Sequence, residues 1–208
     1  MKEHWEKLFS TKAENEVSWY QPYPTVSLSF IEGLELPLDA AIIDIGGGDS
    51  LLVDVLLEKG YTNLYVLDIS ANALERARRR LGEKAALVHW IVSDITDFIP
   101  AVQFDCWHDR AAFHFLIQPA QVAKYAAIAE KAVKPDGHMI IGTFSETGPA
   151  KCSGLEIRQY NADTLCSCFQ PVFRLESSLR VNHYTPTGAE QNFIFCDFIL
   201  LPPPGASA

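Results

Sequence analysis

The sequence predicts an α/β fold: an open, largely parallel sheet with helices on both faces. From residue 41 onward, short apolar runs alternate with segments whose apolar residues recur at helical spacing, as in repeated strand–helix–strand units. A glycine turn at residues 46–48 directly follows the first apolar run, and sheets of this type bind ligands at such a junction. The length of 208 residues suits one domain whose core needs no disulfide or metal.

The composition is that of an ordinary globular protein, with 48% apolar and 21% charged residues. A net charge of −9 disfavours a nucleic acid or an anionic membrane as a partner. One basic cluster stands out, Arg76 with Arg78–Arg80. It is predicted to be the solvated face of a helix rather than a phosphate-binding patch.

Neither a leader peptide nor a membrane span is predicted. The first residues lack the charged-then-apolar pattern of a leader, and no apolar stretch approaches the roughly 20 residues that span a bilayer. We therefore expect a cytoplasmic protein. The five cysteines are odd in number and scattered, which indicates reduced thiols. No cysteine or histidine pair has the spacing of a zinc site, so no metal is expected.

Each strand of the parallel part is predicted from a short apolar run bounded by turn residues. The first covers residues 41–45, and Phe104–Trp107 begin the fourth. The second, third and fifth cover residues 64–68, 86–92 and 138–144. Before the fifth strand, residues 134–137 are predicted to be a turn in which Gly137 takes a positive φ.

Helices are predicted in the intervals between these strands. Ser70 is placed to cap the helix that follows the second strand, and Asn161 or Asp163 a short helix near the C-terminus. Residues 172–182 and 192–200 alternate like the two strands of a terminal hairpin.

Residues 1–38 lie outside this alternation and are rich in aromatic side chains. Two interpretations stay open, core packing of an N-terminal helix or a lid that folds over a ligand. We expect a single domain over residues 1–208, with an N-terminal lid or cap at 1–38, a core at 39–201 and a flexible tail at 202–208. The aromatic residues are Trp5, Phe9, Trp19, Tyr20, Tyr23 and Phe30.

Three carboxylates stand at the ends of consecutive predicted strands. Asp44 lies just before the glycine turn, Asp68 ends the second strand and Asp94 follows the third. A carboxylate that ends the second strand can accept both hydroxyls of a ribose, and one past the third can reach an adenine amino group. A buried Asp44 needs a partner, and the candidates are backbone donors of the turn, a water or a cationic ligand.

Two cofactor classes fit a glycine turn followed by a ribose-binding acid. A dinucleotide requires Gly or Ala at the third position of its fingerprint, where this chain has Leu51. Its diphosphate would also approach Asp49 and Asp44, and like charges at close range cost on the order of 1 kcal/mol or more. The same carboxylates favour a ligand that carries an ammonium and a sulfonium.

The motif Asp44-Ile45-Gly46-Gly47-Gly48-Asp49-Ser50, together with Asp68 and Asp94, resembles the cofactor site of class I methyltransferases, which use S-adenosylmethionine. The resemblance covers residues 40–145 well, and Ser50 replaces the family's last glycine. It implies a Rossmann-like, seven-stranded sheet in the order 3-2-1-4-5-7-6 whose last strand is antiparallel. The cofactor-binding residues that we predict on this basis are Asp44, Gly46, Gly47, Gly48, Asp68, Ile69, Asp94 and Ile95, with Trp19 closing over the methionine end.

Residues 104–115 occupy the end of the fourth strand, where this family places its methyl acceptor. His108, Asp109, Arg110 and His114 crowd there among apolar residues. The segment resembles the Trp-Asp-Arg-Gly stretch of the thiopurine S-methyltransferase group and the Asp-Lys-Gly stretch of small protein lysine methyltransferases. Ala111 stands where both groups have glycine, and Arg110 replaces the lysine of the second group.

Methyl transfer from a sulfonium is an in-line substitution that needs an aligned, deprotonated and partly desolvated nucleophile. Arg110 can hold an anionic acceptor or lower the pKa of a thiol, and a neutral His108 or His114 can take a proton. We therefore predict His108, Asp109 and Arg110 to be catalytic. The alternative is that Asp109 and Arg110 form a structural pair and that the histidines are elements of the fold.

The predicted function is methyl transfer from S-adenosylmethionine to a small molecule, with a thiol or another soft nucleophile considered first, because the chain is short and its lid modest. One alternative is methylation of a protein lysine, which an acidic surface would attract. Another is a protein that binds S-adenosylmethionine without catalysis. Gln21 is a weaker candidate beside Trp19, and Cys152 is expected to be an ordinary loop thiol rather than part of the acceptor pocket.

Overall fold

The computed structural model describes residues 1–202 and contains the predicted seven-stranded sheet. The first five strands pair in parallel in the order 3-2-1-4-5, and the terminal hairpin joins the fifth strand through an antiparallel last strand. Counted within this sheet, the predicted order 3-2-1-4-5-7-6 is confirmed. The predicted tail lies outside the described residues except for residue 202.

A small hairpin that was not predicted precedes the last two strands and shifts their numbers, so that the order of labels is 3-2-1-4-5-9-8. The strands of the main sheet are β1 (Ile42–Ile45), β2 (Leu64–Asp68), β3 (Val88–Val92), β4 (Phe104–Arg110), β5 (Val133–Phe144), β8 (Phe173–Tyr184) and β9 (Glu190–Leu200). The small hairpin consists of β6 (Lys151–Cys152) and β7 (Leu155–Glu156).

The helices fill the predicted intervals, and their caps follow from the sequence. Ser70 accepts a bond from the N–H of Ala73 and so caps its helix as predicted. Of the two candidates near the C-terminus, Asn161 is the cap, because its side chain accepts from the N–H of Thr164. The helices are α1 (Lys2–Thr11), α2 (Thr25–Gly33), α3 (Leu52–Glu58), α4 (Ala71–Leu81), α5 (Pro119–Ala132) and α6 (Ala162–Phe169).

The turn predicted at residues 134–137 is instead an irregularity inside β5, which begins at Val133. The pairing of β4 with β5 shifts register near Phe104. Asp136, not Gly137, takes the positive φ, at 59°. Gly137 is required for space, because a Cβ there would lie 2.8 Å from the carbonyl oxygen of Lys134.

The N-terminal segment packs against α4 through polar contacts. The carboxylate of Glu6 accepts bonds from the Ser70 hydroxyl and from the N–H groups of Ala71 and Asn72. These donors form the N-terminus of α4, whose partial positive charge favours an anion. Residues 1–11 are thereby held next to the ends of β1 and β2.

The basic cluster on α4 is only partly the solvated face that the sequence predicts. Arg79 is exposed and pairs with Glu75, and Arg78 lies over the ring of Trp90. The other two arginines turn inward. Arg76 donates to the carbonyl oxygens of Phe9 and Lys12, and Arg80 to those of Asp49 and Ser50 and to the carboxylate of Asp54.

Apolar side chains bury the sheet on both faces. One layer lies under α5 and α6 and includes Trp107 and Tyr125, and the other lies under α2, α3 and α4. Together they fix the carboxyl ends of β1–β4 at one edge, where ligands bind in sheets of this type. Within residues 1–202, no helix has both the length and the apolar character needed to cross a bilayer.

Candidate active site

The glycine turn after β1 brings the main chain close to its neighbours. The N–H groups of Gly46 and Gly47 donate to the carbonyl oxygen of Leu67 at 2.7 and 3.2 Å. Gly46 has a φ of 65°, and a Cβ there would lie 2.5 Å from the Cβ of Ala112, so only glycine fits without strain. Gly47 has an ordinary φ and is needed for space, because a Cβ there would lie 2.6 Å from Oδ2 of Asp44.

Asp44 is compensated by a histidine, which was not among its predicted partners. The pairing of β1 with β4 sets Asp44 opposite His108, and Nδ1 of His108 lies 2.7 Å from Oδ1 of Asp44. Nε2 of the same ring lies 2.8 Å from the hydroxyl of Ser27 on α2. His108 therefore faces the glycine turn and lines the smaller cavity, and its catalytic role stays a prediction.

Asp68 and Asp94 lie where the sequence places them, each with one carboxylate oxygen held by the following turn. Oδ1 of Asp68 accepts from the N–H of Ser70 at 2.7 Å. Oδ1 of Asp94 accepts from the N–H and the hydroxyl of Thr96 at 2.9 and 2.8 Å. The second oxygen of each carboxylate remains for a ligand.

Buried carboxylates give this edge of the sheet a negative potential. Burial, and then repulsion from Asp49 and Asp44, raises the pKa of Asp68 to about 7, against the bond from Ser70. Burial also raises the pKa of Asp49, although Nη2 of Arg76 lies 3.0 Å from its Oδ2. A cationic ligand would stabilise the ionised form of these acids.

Two adjoining cavities open at this edge. The larger has a volume of about 140 Å³, and the smaller, about 40 Å³, borders the glycine turn. Phe9, Trp19, Gly46 and Arg110 line both. Of the other predicted cofactor residues, Asp68, Ile69, Asp94 and Ile95 line the larger cavity, and Asp44, Gly47 and Gly48 line the smaller, together with Gln21.

Arg110 lies where the cavities meet and has a free donor. Its Nη1 donates to the carbonyl oxygen of Trp19 at 3.0 Å, and its guanidinium lies 5.1 Å from the ring centroid of Phe193. Nη2 is buried without a hydrogen-bond partner among the described residues. Burial lowers the pKa of Arg110 to about 10, opposed by Asp44 and Cys152, so the side chain stays charged at neutral pH. A buried unpaired donor is unfavourable, and an anionic ligand group would satisfy it.

Asp109 lines neither cavity. Its Oδ1 accepts from the N–H groups of Ala112 and Phe113, both at 3.0 Å, and its Oδ2 from the Tyr125 hydroxyl at 2.9 Å. Burial raises its pKa to about 6, against these bonds. The structure therefore places Asp109 behind the site, where it fixes the turn after β4 and forms no pair with Arg110.

The turn that Asp109 fixes contains Ala111 at a φ of 68°. This left-handed conformation is unfavourable for a residue with a Cβ. Ala111 and Ala112 both line the larger cavity. The bonds to Asp109 thus hold a strained backbone segment at the cavity wall, as is common at functional sites.

His114 lies away from both cavities, whereas Cys152 lines one of them. His114 is fully buried, lines neither cavity, and has no partner for either ring nitrogen among the described residues. Burial, and then the charge of Arg110, lowers the pKa of His114 to about 3, so its imidazole is a weak base. Cys152 lines the larger cavity, contrary to expectation, and burial raises the pKa of its thiol to about 11.

The strand–helix core is similar to known proteins. A family model described as a methyltransferase domain matches residues 42–137. Nodulation protein S of Rhizobium tropici is 29% identical over 80 residues, which are 38% of this chain and 33% of that protein. The chain thus aligns with about a third of the length of that curated relative.

Solved structures agree over nearly the whole chain in fold. One, reported for the conversion of a disulfide bond into a thioacetal group during echinomycin biosynthesis, has a TM-score of 0.78 at 17% identity and covers 99% of this chain and 94% of its own. Another is the Burkholderia thailandensis 1,6-didemethyltoxoflavin-N1-methyltransferase with bound 1,6-didemethyltoxoflavin and S-adenosylhomocysteine. Its TM-score is 0.69 at 20% identity, and the alignment covers 86% of this chain and 78% of the Burkholderia chain.

Residues 42–137 thus match a methyltransferase family model, and most of the chain shares its fold with methyltransferase structures. The residues of the candidate site fit S-adenosylmethionine, the cofactor of the class I methyltransferases that the sequence resembles. A glycine turn without Cβ atoms leaves the smaller cavity open beside Asp44, and Asp68 lines the larger cavity. The buried acids suit a ligand with a sulfonium and an ammonium.

Sequence reasoning missed several walls of the candidate site. Trp5 from α1 lines the larger cavity and makes edge contacts with Phe115 and Trp19, at centroid distances of 5.1 and 5.7 Å. The aromatic character of residues 1–38 signalled that this segment covers something, but not which rings reach the site. Ser27 gave no signal, because no pattern in the sequence distinguishes it from Thr25 and Ser29 of the same helix.

Proposed function

We propose that this protein transfers the methyl group of S-adenosylmethionine to a small molecule that carries an anionic group and presents a soft nucleophile, with a thiol as first choice. The observation that carries the proposal is the buried Nη2 of Arg110 at the junction of the two cavities, which has no hydrogen-bond partner within residues 1–202. This nitrogen supplies a charged donor for a ligand group between the residues proposed to bind the cofactor and the aromatic walls of the larger cavity.

In this proposal the cofactor spans the two cavities. Asp68 accepts the ribose hydroxyls, and Asp94 accepts from the adenine amino group, with Ile69 and Ile95 as apolar walls. The glycine turn and Asp44 hold the methionine part, with Trp19 beside it. Two charge-assisted hydrogen bonds to a carboxylate are worth about 1.5–3 kcal/mol each, which makes Asp68 the main contributor to affinity.

The charge at the acceptor end favours an anionic small molecule over a lysine. Arg110 remains charged at neutral pH, since its pKa is lowered only to about 10. A lysine ammonium would be repelled there, whereas a carboxylate or thiolate gains a charge-assisted hydrogen bond. Methylation of a protein lysine is therefore the second candidate, supported only by the net charge of −9.

The nucleophile should need little help from a general base. His114 has a pKa of about 3 and lines neither cavity, and both nitrogens of His108 are engaged by Asp44 and Ser27. A thiol, with an ordinary pKa of about 8.5, ionises near neutral pH when a guanidinium lies beside it. This argument favours a thiol or another easily ionised group over an alcohol or an ammonium.

When bound, S-adenosylmethionine supplies an electrophilic methyl group on a sulfonium leaving group. The residues of the chain then have to align and desolvate the acceptor. Arg110 orients its anionic group, and Trp5, Trp19 and Phe115 form walls that exclude water from the larger cavity. Asp109 holds the turn at Ala111 and Ala112, which keeps the wall beside Arg110 in place.

The names of the similar proteins support a small acceptor without identifying its atom. The Burkholderia enzyme is named for methylation at N1 of a small ring compound, and the echinomycin structure for chemistry at a disulfide. Chemistry at nitrogen and chemistry at sulfur are thus both named among proteins of this fold. The argument for sulfur here rests on the residues of this chain.

The test is the destination of the methyl group. The protein is incubated with methyl-labelled S-adenosylmethionine and a cell extract, and the extract is then separated into small-molecule and protein fractions. We expect label in the small-molecule fraction, abolished when thiols are first blocked with N-ethylmaleimide. Label in protein instead would support the lysine alternative. Binding of S-adenosylhomocysteine without label in either fraction would support a non-catalytic protein, and no micromolar binding would contradict the proposal entirely.

A further inference from the structure

Three buried side chains form a hydrogen-bonded chain behind the glycine turn. Ser27 is 1%, His108 2% and Asp44 6% exposed. His108 stands between the other two, with Nδ1 2.7 Å from Oδ1 of Asp44 and Nε2 2.8 Å from the Ser27 hydroxyl. The chain joins three elements, β1, β4 and α2, at the wall of the smaller cavity, which all three residues line.

The hydrogen bonds fix both the tautomer and the orientation of the histidine ring. An ionised Asp44 accepts only, so Nδ1 of His108 carries the proton and donates it. Nε2 then accepts from the Ser27 hydroxyl. Since both ends of the ring are held, it cannot turn away from Asp44 without the loss of two buried hydrogen bonds.

His108 occupies only one of the two carboxylate oxygens of Asp44. The other, Oδ2, lies against Gly47, where a Cβ would be 2.6 Å away, and Asp44 lines the smaller cavity. The absence of a Cβ at Gly47 thus leaves room for Oδ2, and His108 does not bind this oxygen. A carboxylate held in this way is an oriented acceptor for a cation.

We propose that His108 and Ser27 are positioning residues that hold the carboxylate of Asp44 and aim its Oδ2 at the ammonium of the methionine part of the cofactor. This inference rests on the proposed binding of S-adenosylmethionine. His108 acts through Asp44 and makes no contact with the transferred methyl group. Ser27 extends the cofactor site into α2, so part of the N-terminal segment sets cofactor affinity.

The test compares two ligands that differ only in the part that Asp44 recognises. S-adenosylhomocysteine has the amino acid tail, whereas 5′-methylthioadenosine has the same adenosine and thioether without it. In His108→Phe, which keeps a ring but removes both nitrogens, we expect the Kd for S-adenosylhomocysteine to rise about tenfold or more. The Kd for methylthioadenosine should stay within about twofold, as measured by titration calorimetry.

Two further variants separate positioning from a general structural role. In His108→Asn the side-chain amide can replace Nδ1 as donor, so most of the lost affinity should return. Ser27→Ala should show the same selectivity at about threefold, and Ser29→Ala on the exposed side of the same helix should change neither Kd. Equal losses for both ligands would overturn the inference.

Folding of each variant is checked by circular dichroism. If His108→Phe does not fold, Ser27→Ala decides: a selective loss for S-adenosylhomocysteine supports the inference, and the absence of selectivity overturns it. Failure of the wild-type protein to bind S-adenosylhomocysteine would be a different result, because it would overturn the proposed cofactor as well. Normal wild-type binding with unselective variants would overturn the positioning role alone.

Discussion

The cofactor half and the acceptor half of the site differ in both construction and charge. The cofactor half consists of the ends of β1, β2 and β3, with Asp44, Asp68 and Asp94, and each acid is held by its own turn or by the adjacent strand. The acceptor half combines α1, the turn after β4 and β6, which are far apart in the sequence. One half is acidic, while the other contains the guanidinium of Arg110.

This difference shows how the two halves can be changed separately. In the proposed function, groups in the cofactor half recognise one ligand, S-adenosylmethionine, and their geometry is local. Groups in the acceptor half would meet the methyl acceptor, and they come from segments that lie far apart in the sequence. Substitutions in the first half should lower cofactor affinity, and those in the second should lower turnover.

The largest effect is expected for Gly46→Ala in the cofactor half. Gly46 has a φ of 65°, and a Cβ there would lie 2.5 Å from that of Ala112. The left-handed conformation costs about 1–2 kcal/mol and overpacking a further 1–3 kcal/mol or so. We expect thermal unfolding to begin several degrees lower and binding of S-adenosylhomocysteine to be lost or greatly weakened.

Gly33→Ala is the matched control, because Gly33 has an ordinary φ and nothing within 4 Å of a Cβ at that position. Its stability should be unchanged or slightly raised. If Gly46→Ala binds the cofactor as tightly as the wild-type protein, the glycine turn is not part of the cofactor half.

Arg110→Ala is expected to affect the acceptor half alone. Its free Nη2 would no longer hold the acceptor, so turnover should fall about tenfold or more, as for the loss of one charge-assisted contact. The Kd for S-adenosylhomocysteine should stay within a few-fold. Turnover is measured as label transferred to the small-molecule fraction of an extract, with the exposed Arg79→Ala as control. Loss of cofactor binding in a folded Arg110→Ala variant would show that Arg110 binds the cofactor rather than the acceptor.

A pH effect of about tenfold is expected from Asp68. Its pKa in the folded protein is about 7, above its ordinary value of 3.8, so the folded state binds this proton more readily than the unfolded state. Stability without ligand should therefore rise as the pH falls from about 7 towards 4. The ribose hydroxyls donate to a carboxylate and prefer its ionised form, so the Kd for S-adenosylhomocysteine should rise about tenfold between pH 8 and pH 6.

Asp68→Asn should remove this pH dependence of binding and weaken affinity at pH 8. Part of the pH dependence of stability should remain, because Asp109 has a raised pKa of about 6 as well. A wild-type Kd that does not change between pH 8 and pH 6 would show that Asp68 does not recognise the ribose as an ionised group.

The positions of the acids at the strand ends could be predicted from the sequence because their signals are local. The positions of Asp68 and Asp94 follow from strand ends that periodicity locates within a residue or two. The partner of Asp44 could not be predicted, because it depends on the register between β1 and β4, which pairs Asp44 with His108. A shift of one residue would have turned His108 to the other face of the sheet.

The geometry of the acceptor half was predicted only in part, because it also depends on which face of the sheet each side chain takes. The segment 108–110 was identified as unusual, but alternation along β4 sends neighbouring side chains to opposite faces. Arg110 therefore lines both cavities, whereas Asp109 points into the core. The contributions of Trp5 and Cys152 depend on packing between distant segments, for which no local pattern exists.

The smallest expected effect concerns Ala111, where the sequence differs from related segments that have glycine. Its φ of 68° is unfavourable for alanine, and Asp109 stabilises the turn through the N–H groups of Ala112 and Phe113. Ala111→Gly should raise the free energy of unfolding by up to about 1 kcal/mol, because relief of strain exceeds the added entropy of the unfolded chain. The same change in the exposed helix position Ala127 should lower it by about 1 kcal/mol. Chemical denaturation measures both. If the two changes in the free energy of unfolding have opposite signs, the backbone at Ala111 is strained. If both variants lose the same free energy, the bonds to Asp109 leave no strain at Ala111.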